Sequence, residues 1–190
     1  MQVLSFDIGI RNLAYCILDE NKISGWSKVD LGCKKHDMQG LVDAMIDVLD
    51  SIVDTEINME KPLFVLIEQQ MTAVMKCLQT AINVYFKVLT KCKSELKVVT
   101  QYVSPKLKMK WISSFPDFVS LNTEDVKNTK YEQNKSDSVK FTKWFLTCKE
   151  PDSVALDMLK DHKKADDLCD AYCQAYAWCT RPNPYKVSRQ

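Results

Sequence analysis

The sequence is poor in glycine, proline and histidine, and it lacks long apolar runs. Only 4 of its 190 residues are glycine and 6 are proline, which excludes collagen-like and low-complexity chains. It contains two histidines, and none of its eight cysteines forms a C-x-x-C pair, so a zinc site is not indicated. No apolar run approaches the roughly 20 residues of a membrane helix, and the N-terminus does not resemble a signal peptide. We therefore expect one globular domain over residues 1–190, with reduced thiols, in a cytosolic compartment.

The net charge is only +1, but the charged residues are unevenly distributed along the chain. Residues 36–68 hold eight acids and one lysine, whereas residues 87–149 hold thirteen lysines and six acids. A neutral protein with one basic half can bind phosphates on that half. Solvated helix faces give the same pattern, so charge alone does not decide between the two.

Hydrophobic periodicity predicts an α/β fold. An antiparallel meander of three strands is followed by alternating helices and strands, and the chain ends in helices. The predicted strands cover 2–8, 13–18, 22–31, 63–67 and 97–103; the predicted helices cover 38–54, 71–91, a short segment after Ser104-Pro105, 132–147 and 163–180, with a long loop over 114–130. This order predicts a mixed five-stranded sheet, three antiparallel strands and then two parallel ones, with helices on both faces.

Four acids occupy positions that suggest chemistry. Asp7 lies inside an apolar strand, where an acid is costly to bury without a partner. Glu68 ends a second buried strand, at the kind of edge where α/β sheets place ligands. Asp167 and Asp170 are three apart on a helix and share a face, although acids in a first helical turn are also favoured by the helix dipole alone. Asp166 with Asp170 is an alternative pair.

If the two strands are neighbours, these carboxylates converge and repel one another. Divalent cations would relieve the repulsion, and oxygen ligands suit Mg²⁺ or Mn²⁺. Two ions about 4 Å apart are a known arrangement for phosphodiester cleavage, one activating water and the other stabilising the leaving 3′-oxygen. Asp7 is the natural bridging ligand, and Gly9 leaves room for a backbone or a phosphate to approach. The acids therefore predict a metal-dependent nuclease.

Three segments resemble the motifs of RuvC-type Holliday junction resolvases of the RNase H-like superfamily, and the poxvirus enzymes in particular. The segments are Phe6-Asp7-Ile8-Gly9-Ile10-Arg11-Asn12-Leu13-Ala14, Val65-Leu66-Ile67-Glu68-Gln69-Gln70 and Lys164-Ala165-Asp166-Asp167-Leu168-Cys169-Asp170-Ala171. The last one matches D-x-x-D-A through Asp167 and Asp170, which sets Asp166 aside. The resemblance implies an RNase H-like fold with Asp7, Glu68, Asp167 and Asp170 as catalytic metal ligands.

The same resemblance implies a function. Such enzymes are Mg²⁺-dependent homodimeric endonucleases that bind four-way and branched DNA. They resolve junctions by paired symmetric nicks, leaving 5′-phosphate and 3′-hydroxyl ends. In poxviruses the substrate is concatemeric viral genome, and the reaction takes place in replication factories of the host cytoplasm.

Two lysines and one helix also correspond to features of that family. Ser104-Pro105-Lys106-Leu107-Lys108 and Asn134-Lys135-Ser136-Asp137 match its active-site lysine regions, with Lys108 and Lys135 as our assignments and Lys106 or Lys110 as alternatives to Lys108. These lysines would neutralise charge on the scissile phosphate. Helix 71–91 corresponds to the dimer helix, and we expect its Met and aromatic residues to divide between core and dimer contact. We also expect glutamate at Val74, Leu78 or Tyr85 to give monomers.

Three other functions are compatible with parts of the pattern. Another RNase H-like nuclease, acting on RNA–DNA hybrids or as an exonuclease, would use the same carboxylates. An actin-like ATPase or sugar kinase also begins with a strand carrying Asp7-Ile8-Gly9 before a hairpin, but it needs far more chain. An inactive module that only binds DNA would have no need to retain all four acids.

Overall fold

The N-terminal strands form the predicted antiparallel meander. The computed structural model describes residues 1–93, 95–121, 129–162 and 164–181. Within it, β1 (Gln2–Asp7) pairs with β2 (Leu13–Asp19), and β2 pairs with β3 (Lys22–Val29). Glu20 and Asn21 both have positive φ, which fits the tight two-residue turns that match the twist of a hairpin.

Two further strands extend the sheet on the other side of β1. Strands β4 (Leu63–Glu68) and β5 (Val98–Val103) run parallel to β1, and the sheet order is β3-β2-β1-β4-β5. The predicted mixed five-stranded sheet is confirmed. Because β1 and β4 lie inside the sheet and are covered on both faces, they are almost continuously apolar until each ends in an acid.

Helices cover both faces of the sheet, as predicted. On one face, α1 (Met38–Thr55) and α2 (Ala73–Cys92) pack on Leu4 and Phe6. The opposite face, with Val3 and Leu66, is covered by the remaining helices. These are α3 (Lys106–Ile112), α4 (Pro116–Leu121), α5 (Lys130–Cys148), α6 (Ser153–Asp161) and α7 (Asp166–Cys179).

The C-terminal half contains more helices than predicted. Five helices follow β5 in the described residues, where the sequence pattern predicted three. The predicted loop over 114–130 contains α4, and its residues 122–128 lie outside the described ranges. Helix α6 was not predicted, and the helix predicted over 163–180 begins at Asp166. Both missed helices are short, with three buried side chains between them, so they give little periodic signal.

Buried polar contacts fix α7 against the sheet. The side-chain amide of Gln174 donates to Ser5 Oγ at 2.9 Å and to the carbonyl of Phe6 at 3.2 Å. The indole N–H of Trp26 donates to the carbonyl of Leu168 at 2.8 Å. Since such bonds are costly to leave unmade in a core, they hold α7 in one position beside the end of β1.

Helix α2 divides its apolar residues between core and surface differently from our expectation. Leu78 is fully buried in the core, so its predicted role in a dimer contact is wrong. Tyr85 is partly buried and donates a hydrogen bond to Asp50 on α1. The large apolar side chains that α2 leaves exposed are Val84 and Val88, each 51% accessible.

The structure shows the state of the thiols and whether any described helix could span a membrane. All eight cysteines are free, and Cys16, Cys169 and Cys173 are buried as small core residues, as the sequence predicted for several of them. No helix within the described ranges has the length and apolarity needed to cross a membrane.

Candidate active site

The ends of β1 and β4 place two of the predicted acids side by side. In the parallel register Phe6 is opposite Ile67, so Asp7 and Glu68 follow at the same level on neighbouring strands. Adjacent strands lie about 4.8 Å apart, and residues at equivalent register positions project from the same face. Both carboxylates therefore project toward the face that α7 covers.

Helix α7 brings the other two acids to the same place. Asp167 and Asp170 lie in its first turns, three residues apart, and both are buried. A single cavity of about 560 Å³ is lined by all four acids. The convergence predicted from the strand ends and the D-x-x-D spacing is thus what the structure has.

Both predicted lysines also line this cavity. Lys108, on α3, places its Nζ 2.8 Å from Asp170 Oδ2 and 3.5 Å from Glu68 Oε2. Its neighbours Lys106 and Lys110 are exposed and line a different surface depression. The structure therefore singles out Lys108 among the three lysines of α3 as the one directed at the carboxylates.

Lys135 approaches the cluster from α5. Its Nζ lies 2.7 Å from Asp167 Oδ1 and 2.5 Å from Asp166 Oδ2. Asp166, which the motif comparison had set aside, thus shares the lysine with a predicted metal ligand. Burial raises the pKa of Asp166, but the hydrogen bond and charge of Lys135 outweigh burial and bring that pKa below its ordinary value.

The surroundings of Asp7 oppose its ionisation. Burial is the main cause that raises its pKa well above the ordinary value, and the negative charge of Glu68 raises it further. Lys108 acts in the opposite direction, while Asp170 and Asp167 add to the increase. Without further positive charge, the site therefore opposes ionisation of its central carboxylate.

The neighbouring acids raise the pKa values of both lysines. Burial lowers the pKa of Lys108, but attraction to Asp170, Glu68 and Asp7 outweighs it, and the net pKa lies above the ordinary value. For Lys135, the lowering of the pKa by burial is likewise outweighed by hydrogen bonds to Asp166 and Asp167. Both side chains are therefore cationic at neutral pH and partly compensate the acids.

The donor set fits a hard divalent cation. The ligands on offer are carboxylate oxygens, which Mg²⁺ and Mn²⁺ prefer. Oδ1 of Asp170 is buried and accepts no hydrogen bond from any described residue, so it is free to ligate. As the side chains stand, no three Asp, Glu, His or Cys in the described ranges are arranged to hold an ion; the ammonium groups of Lys108 and Lys135 lie among the acids instead.

Gly9 matters to the loop that follows Asp7. A Cβ at this position would lie 2.9 Å from the carbonyl oxygen of Asn12, closer than such atoms approach. The backbone that comes close to Gly9 is therefore the chain's own, within the tight turn from β1 to β2. Both Gly9 and Asn12 line the cavity.

Some residues of the cavity were not predicted from the sequence. Tyr131, at the start of α5, lines it, and the Nζ of Lys135 lies 5.5 Å from the centre of the Tyr131 ring. Gln69 and Gln70 follow Glu68 and also line it. The two glutamines stand in the second motif, but nothing in the sequence distinguishes Tyr131 from other surface tyrosines.

The sheet order and the flanking helices correspond to the RNase H-like fold in the form seen in RuvC. The chain matches the crystal structure of the yeast mitochondrial Holliday junction resolvase Ydc2 with a TM-score of 0.60 and 16% identity, covering 93% of this chain and 76% of the resolvase. It matches Thermus thermophilus RuvC with a TM-score of 0.55 and 13% identity, covering 94% and 95% of the two chains.

A third match is T. thermophilus RuvC in complex with a Holliday junction substrate, with a TM-score of 0.55, 13% identity and coverage of 94% and 93%. By sequence, no family model and no curated protein matches the chain. At these identities the structural likeness establishes the fold.

Proposed function

We propose that the protein is a structure-selective, metal-dependent endonuclease that resolves four-way DNA junctions. The observation that carries the proposal is the convergence of Asp7, Glu68, Asp167 and Asp170 in one cavity, with Lys108 and Lys135 among them. Support comes also from the fold, which is shared with two Holliday junction resolvases, one of them solved with its junction.

The four acids would hold two Mg²⁺ ions, with Mn²⁺ as a substitute. Bound there, the ions would supply Lewis-acid polarisation of the scissile phosphate and a water of lowered pKa. Asp7 and Glu68 lie at the ends of strands, and α7 is fixed by Gln174, so the backbone positions of the four acids are set before DNA binds.

In this proposal Lys108 and Lys135 stabilise negative charge on the DNA phosphate and do not bind the metal ions. A phosphate that enters the cavity brings negative charge close to Lys108 and Lys135, and cationic donors stabilise the further charge that develops on it during cleavage. The same ammonium groups lie among the carboxylates and limit their repulsion.

Junction resolution requires two cuts, and we propose that a homodimer makes them. A twofold dimer presents two identical sites to opposing strands, which gives paired symmetric nicks. Departure of the 3′-oxygen in each cut would leave 5′-phosphate and 3′-hydroxyl ends. Helix α2 begins beside the cavity and leaves Val84 and Val88 exposed, so it is the element we assign to the contact.

We also propose a biological setting on the basis of the motifs. The resemblance to poxvirus resolvases supports resolution of concatemeric viral DNA in the host cytoplasm. Another RNase H-like activity, on RNA–DNA hybrids or on DNA ends, would use the same carboxylates, and a comparison of substrates separates it from junction resolution.

Substitution of Asp7 tests the site directly. Asp7→Asn should lower junction cleavage by more than about 100-fold, since loss of even the outer-shell partners of metal ligands costs about 10–100-fold. Junction binding, measured by gel shift in Ca²⁺, should persist. Asp43→Asn, at an exposed position on α1, is the matched control and should cut normally. Retained cleavage by Asp7→Asn would remove Asp7 from the mechanism.

A further inference from the structure

A second cavity of about 640 Å³ lies on the other side of the turn that follows Asp7. It is formed by that turn and by the segment between β3 and α1, and its basic residues are Arg11, Lys34 and Lys35. Gly32 shapes the segment, because its φ of +69° bends the chain and open space surrounds its Cα. Sequence patterns gave no indication of this grouping, since Arg11 is distant in sequence from the two lysines.

The three basic side chains of this cavity make no ion pair that would stabilise the fold, within the described residues. Neither Arg11, Lys34 nor Lys35 forms an ion pair with any described residue, and all three are exposed. The one carboxylate that lines the cavity, Asp30, accepts a hydrogen bond from the backbone N–H of Gly32 at 2.9 Å. By contrast, Lys61, Lys108, Lys135, Lys149 and Lys160 all bind carboxylates.

The two cavities share one short turn. Gly9 and Asn12 line the carboxylate cavity, whereas Ile10 and Arg11 line the basic one. The backbone N–H of Leu31 donates to the carbonyl of Ile10 at 2.9 Å, which ties the β3–α1 segment to the turn. The basic cavity is therefore held at a fixed position beside the carboxylates.

Chain geometry limits the separation of the two sites. Four residues lead from Asp7 to Arg11, and a fully extended chain spans at most about 3.6 Å per residue, so their Cα atoms are within about 14 Å. One strand of B-DNA carries a phosphate about every 3.4 Å along the axis. A strand that is cut at the carboxylates and continues past the turn would therefore bring a phosphate within reach of Arg11 about four nucleotides from the scissile bond.

We propose that Arg11, Lys34 and Lys35 bind backbone phosphates of the DNA strand that flanks the scissile phosphate. The identity of the ligand as DNA rests on the proposed function. Arginine and lysine without protein partners are suited to phosphate oxygens, and these contacts carry no sequence information. Their effect is to fix the register of the strand across the carboxylates.

Salt dependence of binding tests the proposal. The triple variant Arg11→Ala/Lys34→Ala/Lys35→Ala, made in an Asp7→Asn parent, should bind a four-way junction at least about tenfold more weakly at low salt. The slope of log K against log salt should decrease by about 0.9 for each phosphate that the variant no longer neutralises, so by about 2 to 3 in all.

The control removes the same amount of charge at the opposite end of the sheet. Lys22, Lys93 and Lys97 are exposed; Lys22 lies at the β2–β3 turn, and Lys97 precedes the first residue of β5. Changing these three to Ala should leave the affinity and the slope unchanged. An equal decrease in both triple variants would show a general charge effect and overturn the inference.

Replacing single DNA phosphates with uncharged methylphosphonates shows which phosphates the three basic residues contact. A methylphosphonate placed one to four nucleotides from the cut should weaken binding by the Asp7→Asn parent and have no additional effect on the triple variant. Binding with an unchanged slope, or equal sensitivity of both proteins to every methylphosphonate, would overturn this inference alone. If the parent binds no junction, the proposed function fails and the inference fails with it.

Discussion

Lys108 is the lysine of α3 that lies buried among the carboxylates of the cavity. Lys106, Lys108 and Lys110 alternate along α3, and which of them faces the acids depends on how α3 rotates against α7. Only the packing of the helix decides that, so the motif alone could not. Lys108 is 7% exposed, with Asp170 and Glu68 as its partners.

Replacement of this lysine should affect both stability and activity. Lys108→Met leaves Asp170 and Glu68 buried without their cation, and breaking a buried pair in this way costs about 3 kcal/mol or more in free energy of unfolding. Urea denaturation in chelator measures it, and junction cleavage should fall as well. Lys106→Met and Lys110→Met are matched controls from the same helix. A decrease of stability or cleavage in the controls equal to that in Lys108→Met would contradict the assignment.

Asp7 gives the metal-free protein a pH dependence of defined sign. Because the folded state raises its pKa, the stability associated with Asp7 is complete below the unfolded pKa of about 3.9 and is lost as pH rises through the folded pKa. Asn cannot ionise, so Asp7→Asn in chelator should have the higher urea midpoint at neutral pH, with the difference shrinking on acidification.

Divalent ions should reverse that order. Mg²⁺ stabilises a protein that binds it in the folded state, so it should raise the midpoint of the parent and leave that of Asp7→Asn nearly unchanged. An Asp7→Asn protein that is less stable than the parent at neutral pH in chelator would contradict the account of Asp7 as a carboxyl whose surroundings oppose its ionisation.

At the scale of elements, strands were predicted better than helices. Strands β1 and β4 are buried on both faces; β4 is a continuous apolar run, β1 is mostly apolar apart from Gln2 and Ser5, and a terminal acid ends each of them. Helix α4 has six residues and one buried side chain, too few to show a period. Helix α6 had a usable signal, since Asp152 caps it and Ala155 and Leu159 are one turn apart, but its short length made it easy to miss.

In helix α2, the apolar pattern likewise did not show which residues form the exposed surface that we assign to the dimer contact. Its apolar residues surround much of the helix, so the sequence could not tell the buried Leu78 from the exposed Val84. The distinction arises only when α2 packs on α1 and the sheet.

The exposed valines of α2 provide the test of dimerisation. Val84→Glu and Val88→Glu should give monomers, because a charge on each side of a twofold contact repels its copy. Light scattering measures the mass. Val154→Glu, at an exposed position on α6, is the matched control and should not alter it. A wild-type monomer, or a dimer unaffected by both α2 variants, would contradict the proposed contact.

At the scale of the whole molecule, the sheet, its two layers of helices and the meeting of four acids were all predictable from one sequence. The strands and helices were indicated by local hydrophobic patterns. The meeting of the acids was expected on the condition that β1 and β4 are neighbours, which agrees with the fold that the resemblance implies. The basic cavity was not predictable, because Arg11 meets Lys34 and Lys35 only through the bond between Leu31 and Ile10. The uneven charge along the chain likewise indicates a basic region at residues 87–149 and not at this turn.

Cleavage of a mobile four-way junction, beside linear duplex, RNA–DNA hybrid and single strands, tests the central claim most directly. Each substrate is incubated with Mg²⁺, Mn²⁺, Ca²⁺ or chelator. We expect paired, symmetric and religatable nicks in the junction with Mg²⁺ or Mn²⁺, and no cutting in chelator. Preferential cutting of the hybrid, or cleavage that persists in chelator, would contradict the assignment of a metal-dependent junction resolvase.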